Sequence, residues 1–381
     1  MNAGAKRSSG FWYAVATLVG STVGVGIFGI PFVFTKAGLL PGILFLAGLT
    51  VVVLLLNLMY GEVVLRTESH HQLVGYTAKY LGPNARKIIL FTMTLGVYGA
   101  LLSYIIVAGT FLSQVLSSFI FFSPATFSTL FLIIGSLFIL KGLRAVSRFD
   151  LIMLIFFVAA MLLLTIFGFP HIQLNNYTLL TNVYWFLPFG VIFFALSGLA
   201  GIPLAYERLD GNKGQFRKLV VLGTLIPAAI YLVFALVVMG VSGEVTSPDA
   251  ITGLASFFTG PVVTLGSIFG LLAVFTCFLS LGLALKEAYQ YDGKFSAFKS
   301  WLLVVIPPYI LFLLGFRNFI NIIGLVGGLA LSIEGIMLVF LYVKARRSGE
   351  RMPEYSIKLP LPVFYALGIV FLLAAAYTLI G

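Results

Sequence analysis

Twelve residues of the first long apolar stretch, Gly20-Ser21-Thr22-Val23-Gly24-Val25-Gly26-Ile27-Phe28-Gly29-Ile30-Pro31, limit what this chain can become. With 60% of its residues hydrophobic and 9% charged, the chain is a polytopic membrane protein, so the stretch lies in hydrocarbon. A spanning helix has no use for four glycines and a proline in such a run. Proline lacks a backbone N–H and clashes with the preceding turn, and each interior glycine costs about 1 kcal/mol relative to alanine. Freed N–H and C=O groups are costly at that depth unless protein or a wet cavity satisfies them. Residues 24–29 are therefore expected to form an unwound joint between two half-helices, with N–H groups bared on one side and carbonyls on the other. The alternative this stretch leaves open is a glycine-rich packing face with a proline kink.

Eleven apolar segments follow one another, at roughly 11–36, 41–65, 87–116, 125–141, 149–170, 183–206, 218–241, 259–285, 300–315, 319–342 and 361–380. The first is too long for a signal-peptide core. No connection is long enough for a folded soluble domain. The longest, around 66–86, carries Arg66, His70, His71, Lys79 and Arg86 and suits a short interfacial helix. If the N-terminus is cytoplasmic, 21 of the 23 Lys and Arg residues fall on the inner side and only Lys36 and Arg317 outside. That bias predicts an N-in, C-out topology in a plasma or inner membrane. The net charge of +11 is then an orientation signal and implies no nucleic-acid partner. Cys277 is the single cysteine, and no C-x-x-C or histidine cluster suggests a disulfide, a metal or another cofactor. Asn176-Tyr177-Thr178 is a formal glycosylation sequon.

The sixth segment repeats the signature of the first. Gly26-Ile27-Phe28-Gly29-Ile30-Pro31 and Gly198-Leu199-Ala200-Gly201-Ile202-Pro203 both read G-x-x-G-I-P, offset by 172 residues and five spans. An odd number of spans reverses the direction of the second copy. Two interrupted helices in corresponding places of two opposed halves predict an inverted-repeat transporter. The expected fold class is all-α: a transporter core over 1–342, with a first repeat at 11–170 and an inverted second repeat at 183–342. A cytoplasmic loop at 343–360 and an extra helix at 361–380 complete it.

Taken in order, these strings resemble the amino acid/auxin permease family of the amino acid–polyamine–organocation superfamily. The resemblance rests on Gly20 to Pro31, on Tyr60-Gly61-Glu62 with His71 and Gly75-Tyr76…Tyr80-Leu81-Gly82, and on Phe193-Phe194-Ala195-Leu196-Ser197-Gly198 through Ile202-Pro203 to Tyr206-Glu207. The eleven-segment count is similar to that of bacterial aromatic and hydroxy amino acid permeases. The resemblance implies a five-plus-five inverted repeat and ion-coupled amino acid symport.

A zwitterion needs donors for its carboxylate and acceptors for its ammonium. The second half of the first segment, starting near Ile27–Gly29, offers free N–H groups to the carboxylate, in a site taking in Val25, Gly26, Ile27 and Phe28. The carbonyls near Ser21–Val23 and near Ala195–Ser197, with Gly198 beside them, suit the ammonium. Ser21, Thr22 and Ser197 can add hydroxyls or bond back to the preceding turn. Phe193 and Phe194 stand before the second break, and in the resembled fold the third segment lines the site, which makes Tyr98 a candidate for the side-chain pocket.

The resemblance also places a sodium ion between carbonyls at Gly20 and Val23 and hydroxyls at Thr276 and Ser280, although Cys277 interrupts the hydroxyl set. Some proton-coupled relatives put a lysine in the fifth segment; Leu151–Gly168 has none. Glu334 lies ten residues before Lys344, about 15 Å from the inner boundary. A carboxyl near the midplane is a proton-coupling candidate, or a neutral acid bonded between helices. Proton coupling is favoured over sodium. Glu62 with Arg66, and Glu207 beside Arg208, read as gate or structural ion pairs, and Asn57 as an interhelical hydrogen bonder.

The expected function is therefore symport of a neutral amino acid, aromatic ones included, by alternating access. Another small organic solute (an amine, a nucleobase or an organic acid) on the same fold is the alternative. A membrane-embedded enzyme lacks its His, Asp or Cys constellation, and a channel has no need of paired breaks. A divalent-metal carrier would want acidic or Asn ligands that neither break supplies. Oligomeric state is not encoded in any feature of the chain.

Overall fold

The first apolar stretch does bend, but earlier and more sharply than its glycines suggest. Helix α1 (Ala3–Thr22) and helix α2 (Gly26–Ala37) meet at 58°, and only Val23, Gly24 and Val25 are non-helical. The expected joint at 24–29 is thus corrected to 23–25, because Gly26 and Gly29 belong to helix. Pro31 falls one turn inside α2 and denies the Ile27 carbonyl its usual intrahelical donor.

The computed structural model describes residues 3–116, 119–120, 122–142, 159, 162–181, 184–209, 213–258, 260–291 and 294–380, and among these there is no β-strand. Gly38, at φ +97°, turns α2 into α3 (Leu39–Arg66). A Cβ there would sit 2.8 Å from the Leu179 carbonyl oxygen, so glycine also admits the 178–181 strand of loop that bonds Leu39, Leu40 and Ala37. The connection after α3 holds the anticipated short helix, α4 (Leu73–Leu81), before α5 (Pro83–Leu116) and α6 (Pro124–Lys141). Ser123 caps α6, accepting from the Thr126 N–H. At its other end the buried Lys286 donates to the Ile139 and Leu140 carbonyls.

The segment expected at 149–170 lies largely outside the described residues, which enter it as α7 (Leu162–His171). The sixth segment is broken: α8 (Leu187–Leu196) and α9 (Gly201–Glu207) flank residues 197–200. Here Pro203 falls in the first turn, where a missing N–H costs nothing. There follow α10 (Phe216–Ser242), α11 (Gly260–Tyr291), α12 (Ala297–Leu313), α13 (Phe319–Leu325), a π-helical turn at Val326–Ala330, α14 (Leu331–Ser348) and α15 (Leu361–Ile380). Among the described residues eight helices are long and apolar enough to cross a membrane, or nine with the bent α1–α2 pair counted as one span. Of the other two expected spans, one is the partly described 149–170 and the other is α12, which has 17 residues. Large apolar side chains such as Leu44, Phe91 and Leu372 face outward, as lipid contact requires.

Helix α5 packs along α11 and α6, and α2 packs against α8. Helix α8 approaches α13 and the π turn backbone to backbone: a Cβ on Gly190 or on Gly327 would overlap the other segment's main chain. Helix α15 is no loose appendage. Its Phe371 stacks on Phe193 at 5.6 Å and fills the space over Gly335.

One buried carboxylate ties down the segment between α14 and α15. Glu62, fully buried, meets Arg66 at 2.7 Å and accepts from Ser356 Oγ at 2.9 Å and the Ile357 N–H at 2.8 Å. Arg351 donates to the Leu65 carbonyl, and Tyr355 Oη to the Leu58 carbonyl at 2.8 Å. The other expected pair does not form: Arg208 lies over the Tyr13 ring at 4.6 Å, and Glu207 is 4.0 Å from His70. Asn176 donates to the Gly240 and Val241 carbonyls, which makes it a cap for α10.

Outside the spans, Lys79 meets Glu350 at 2.6 Å, and this bond, with one from the Glu68 N–H, holds the Glu350 carboxyl below its ordinary range. Because its folded value is depressed, the contact is intact at neutral pH and is lost only as pH falls through that lowered value. Glu62→Ala is expected to destabilise by about 3–5 kcal/mol, since it leaves Arg66 and the Ile357 N–H without their partner. An unchanged melting temperature of the purified variant would show that the 349–360 segment is held elsewhere.

Candidate functional site

The two breaks touch because glycine lets them. A Cβ on Gly26 would lie 2.7 Å from Ala195 Cα, one on Gly198 would strike Thr22 Oγ1, and one on Gly201 would strike Ser21 Oγ. The glycines of the two G-x-x-G-I-P strings therefore serve close approach between helices more than unwinding. Their registers also differ: helix resumes at the first glycine of one string, Gly26, and at the second glycine of the other, Gly201.

A tyrosine closes the contact. Tyr231 of α10, fully buried, places its hydroxyl 3.1 Å from the Thr22 carbonyl oxygen and 2.9 Å from that of Ala195. One hydroxyl carries one proton, so it donates fully to one carbonyl at a time. The other carbonyl retains an open acceptor position. Helix α2 begins without a side-chain cap, and its first turn makes i→i−3 bonds: a long one from Ile27 N–H to the Gly24 carbonyl at 3.4 Å, and one from Phe28 N–H to the Val25 carbonyl at 3.1 Å. Residues that carry such donors and acceptors, Thr22, Ala195 and Gly26, border one space.

That space is a cavity of about 200 Å³. It is lined by Ser21 to Gly26 at the first break, Phe194, Ala195 and Ser197 to Ala200 at the second, and Met93, Gly96, Val97, Ala100 and Tyr104 of α5. Cys277 and Leu281 of α11, Val326, and Leu331 and Glu334 of α14 complete the wall, and Gln72 and Leu73 mark the end at which α4 begins. Toward the opposite end Phe28 abuts Phe111, ring centroids 5.2 Å apart, among the fully buried Ile27 and Phe34. The cavity therefore runs from the breaks toward the α4 end. Glu334 is the only acidic or basic side chain lining it, and its carboxyl has no hydrogen-bond or ion partner among the described residues.

The residues singled out from sequence separate into two groups. Ser21, Thr22, Val23, Val25, Gly26, Phe194, Ala195, Ser197, Gly198 and Glu334 come together on the cavity wall. Ile27 and Phe28 are buried behind it. The Ser21 and Thr22 hydroxyls bond back to the Leu18 carbonyl at 2.8 and 2.9 Å, which spends them locally. Phe193 turns away, toward Phe189 and Phe371. Tyr98 is absent from the lining, and its hydroxyl bonds Tyr289 Oη at 2.8 Å and the Leu303 carbonyl at 2.7 Å. Gly20, Thr276 and Ser280 are absent from the lining, where Cys277 stands instead, and Thr276 Oγ1 bonds back to Ala273 at 2.9 Å.

Two tyrosines escaped the sequence reading. Gly96, Ala100 and Tyr104 are spaced four apart and share one face of α5, whereas Tyr98 falls on another. Tyr104 Oη bonds the Cys277 thiol, and a Cβ on Gly24 would be 3.6 Å from it. Tyr231 stands in the middle of a long apolar helix, four residues past Pro227, where tyrosine is out of place: membrane tyrosines gather at the interfaces. That position was the available signal.

Residues 7–380 match the profile of the tryptophan/tyrosine permease family. The chain is 24% identical over 363 residues to tyrosine-specific transport system 1 of Haemophilus influenzae, covering 88% of each protein. It is also 24% identical over 341 residues to glutamine transporter 2 of Aliivibrio fischeri, covering 86% of this chain and 84% of the relative. The crystal structure of MhsT in complex with L-phenylalanine shares the fold, with a TM-score of 0.67 over 97% of both chains at 14% identity.

Tyr231→Phe is expected to leave both break carbonyls without their donor and to lower stability by about 1–3 kcal/mol. Thermal unfolding of the purified variant checks this, and an unchanged midpoint would mean that the two breaks are held together by packing alone.

Proposed function

Because the chain belongs to the tryptophan/tyrosine permease family, and so is a multi-pass membrane transporter of amino acids and not an enzyme, we propose that it carries a neutral aromatic amino acid in symport with a proton. The observation that supports this most is the convergence of both helix breaks and Glu334 on one cavity. In this reading the substrate carboxylate docks at the start of α2, beside Gly26 and the long-bonded N–H of Ile27. The ammonium takes the acceptor position that the single proton of Tyr231 leaves open on the Thr22 or Ala195 carbonyl. Phe194, Tyr104, Met93, Val97 and Leu281 offer the side chain an apolar surface. Tryptophan, tyrosine and glutamine, the amino acids in the names of the family and the relatives, each end in a side-chain N–H or O–H donor.

Glu334 is the proton carrier in this reading. A lone carboxyl in the hydrocarbon region is far cheaper neutral than ionised, so its protonation favours whichever state excludes water from it. Cys277 stands where a hard cation would want an oxygen ligand, which argues against sodium. Ten spans in two inverted five-helix halves and an eleventh after them, with the N-terminus cytoplasmic, would make the α4 end the cytoplasmic one. Alternating access then requires Phe28 and Phe111 to part while the α4 end closes.

Uptake by proteoliposomes, with sodium and the pH gradient varied independently, tests the coupling. Accumulation of an aromatic amino acid driven by an inward proton gradient without sodium is expected; a sodium requirement overturns the proton assignment. Glu334→Gln should abolish pH-driven accumulation yet retain exchange of internal for external substrate. Full pH-driven accumulation by that variant would return Glu334 to a structural role. Alkylation of Cys277, the single cysteine, should be slowed by bound substrate, and a rate indifferent to every amino acid would displace the site from this cavity.

A further inference from the structure

Behind the α8–α9 break lies a second, much smaller space of about 10 Å³. Asn57 of α3 and Phe193 of α8 form part of its wall, and Ser197, Leu199 and Leu331 line both this space and the main cavity. It is a side pocket of the site at the second break. A void of this size holds about one water or one hydroxyl group and nothing larger.

The orientation of the Asn57 amide is defined by a chain of hydrogen bonds. Asn57, 1% exposed, donates from Nδ2 to Thr224 Oγ1 at 3.0 Å, and Thr224 donates its only proton to the Val220 carbonyl at 2.8 Å. Thr224 can therefore only accept from Asn57. This fixes the amide with Nδ2 toward Thr224 and Oδ1 turned away. Asn57 Oδ1 has no partner among the described residues. A buried acceptor without a donor is costly, and such atoms call for an explanation.

We propose that Asn57 Oδ1 is a specificity-determining acceptor for the donor at the tip of the substrate's side chain, a phenolic O–H above all; this deepens, and rests on, the amino acid transport reading. The pocket offers one acceptor in an apolar setting that includes Phe193, which suits an aromatic side chain ending in a single hydroxyl. The half-buried Ser197 borders both spaces, and its hydroxyl can accept or donate to the same group. A substrate of the same shape without the hydroxyl leaves Asn57 unpaired, or shuts in a water that must be ordered there. A site built to hydrogen-bond a substrate hydroxyl discriminates far more strongly than an apolar pocket does.

The test is equilibrium binding of L-tyrosine and L-phenylalanine to the full-length purified protein, wild type and Asn57→Leu. The wild type is expected to prefer tyrosine about 100-fold or more, and Asn57→Leu to abolish that preference or turn it toward phenylalanine, the ligand an apolar pocket favours. Equal affinities in the wild type overturn the proposal without need of any variant, as does a tyrosine preference that survives in Asn57→Leu. If Asn57→Leu does not fold, Thr224→Val serves in its place: it frees the amide to turn, and it should reduce the preference. A preference undiminished in Thr224→Val overturns the assigned orientation of Asn57 and the proposal with it. If the wild type binds neither amino acid but exchanges another, the transport reading stands and the phenol acceptor falls. If no amino acid binds, the transport reading itself fails.

Discussion

Close approach between two interrupted helices governs this structure. Gly26 lies against Ala195, Gly198 against Thr22 and Gly201 against Ser21, at separations a Cβ would forbid. Had either string carried alanine at those positions, the breaks would be pushed apart and each would have to satisfy its freed backbone groups alone. Held together, they share one donor, the Tyr231 hydroxyl, between two carbonyls. The arrangement is under-supplied with protons by design of its parts: two acceptors converge on one O–H, in surroundings where water is scarce.

That shortage is what makes the contact a site. Regular helix would leave nothing for a ligand to bond, and fully unwound chain would be too costly to bury. Three non-helical residues at one break and four at the other expose a few backbone groups and keep the rest paired. The side chains around them are mostly apolar, so orientation of a zwitterion falls to main-chain groups and discrimination among side chains to the walls. Glu334 stands apart from both tasks as a solitary carboxyl on the same cavity. At the α4 end, a different economy applies. There Glu62 is surrounded by partners and anchors the segment that leads to α15, whose Phe371 in turn backs Phe193 of the broken pair.

Much of this was legible in the sequence, for identifiable reasons. The doubled G-x-x-G-I-P string marked both breaks because glycine and proline are expensive in hydrocarbon and therefore informative there. Glu334 and Glu62 stood out for the same reason, as carboxyls in an apolar background. What the residues did not disclose was which glycines bend and which merely make room. Gly26 and Gly29 are helical contact positions, so the joint lies upstream of where the glycine count centred it. The resembled fold points to the third segment and so to Tyr98, but helical geometry puts Tyr104 on the face with Gly96 and Ala100. Tyr231 belongs to a helix with no break of its own, and only three-dimensional proximity reveals that it serves two others.

The most direct measurement is an experimental structure of the protein with L-tyrosine bound. The carboxylate should lie at the start of α2, beside Gly26, and the ammonium within hydrogen-bonding distance of the Thr22 or Ala195 carbonyl, with Tyr231 still in contact with the other. Density for the amino acid anywhere outside the cavity shared by the two breaks, or a bound amino acid whose charged ends touch neither break, would contradict the claim that their contact is the binding site.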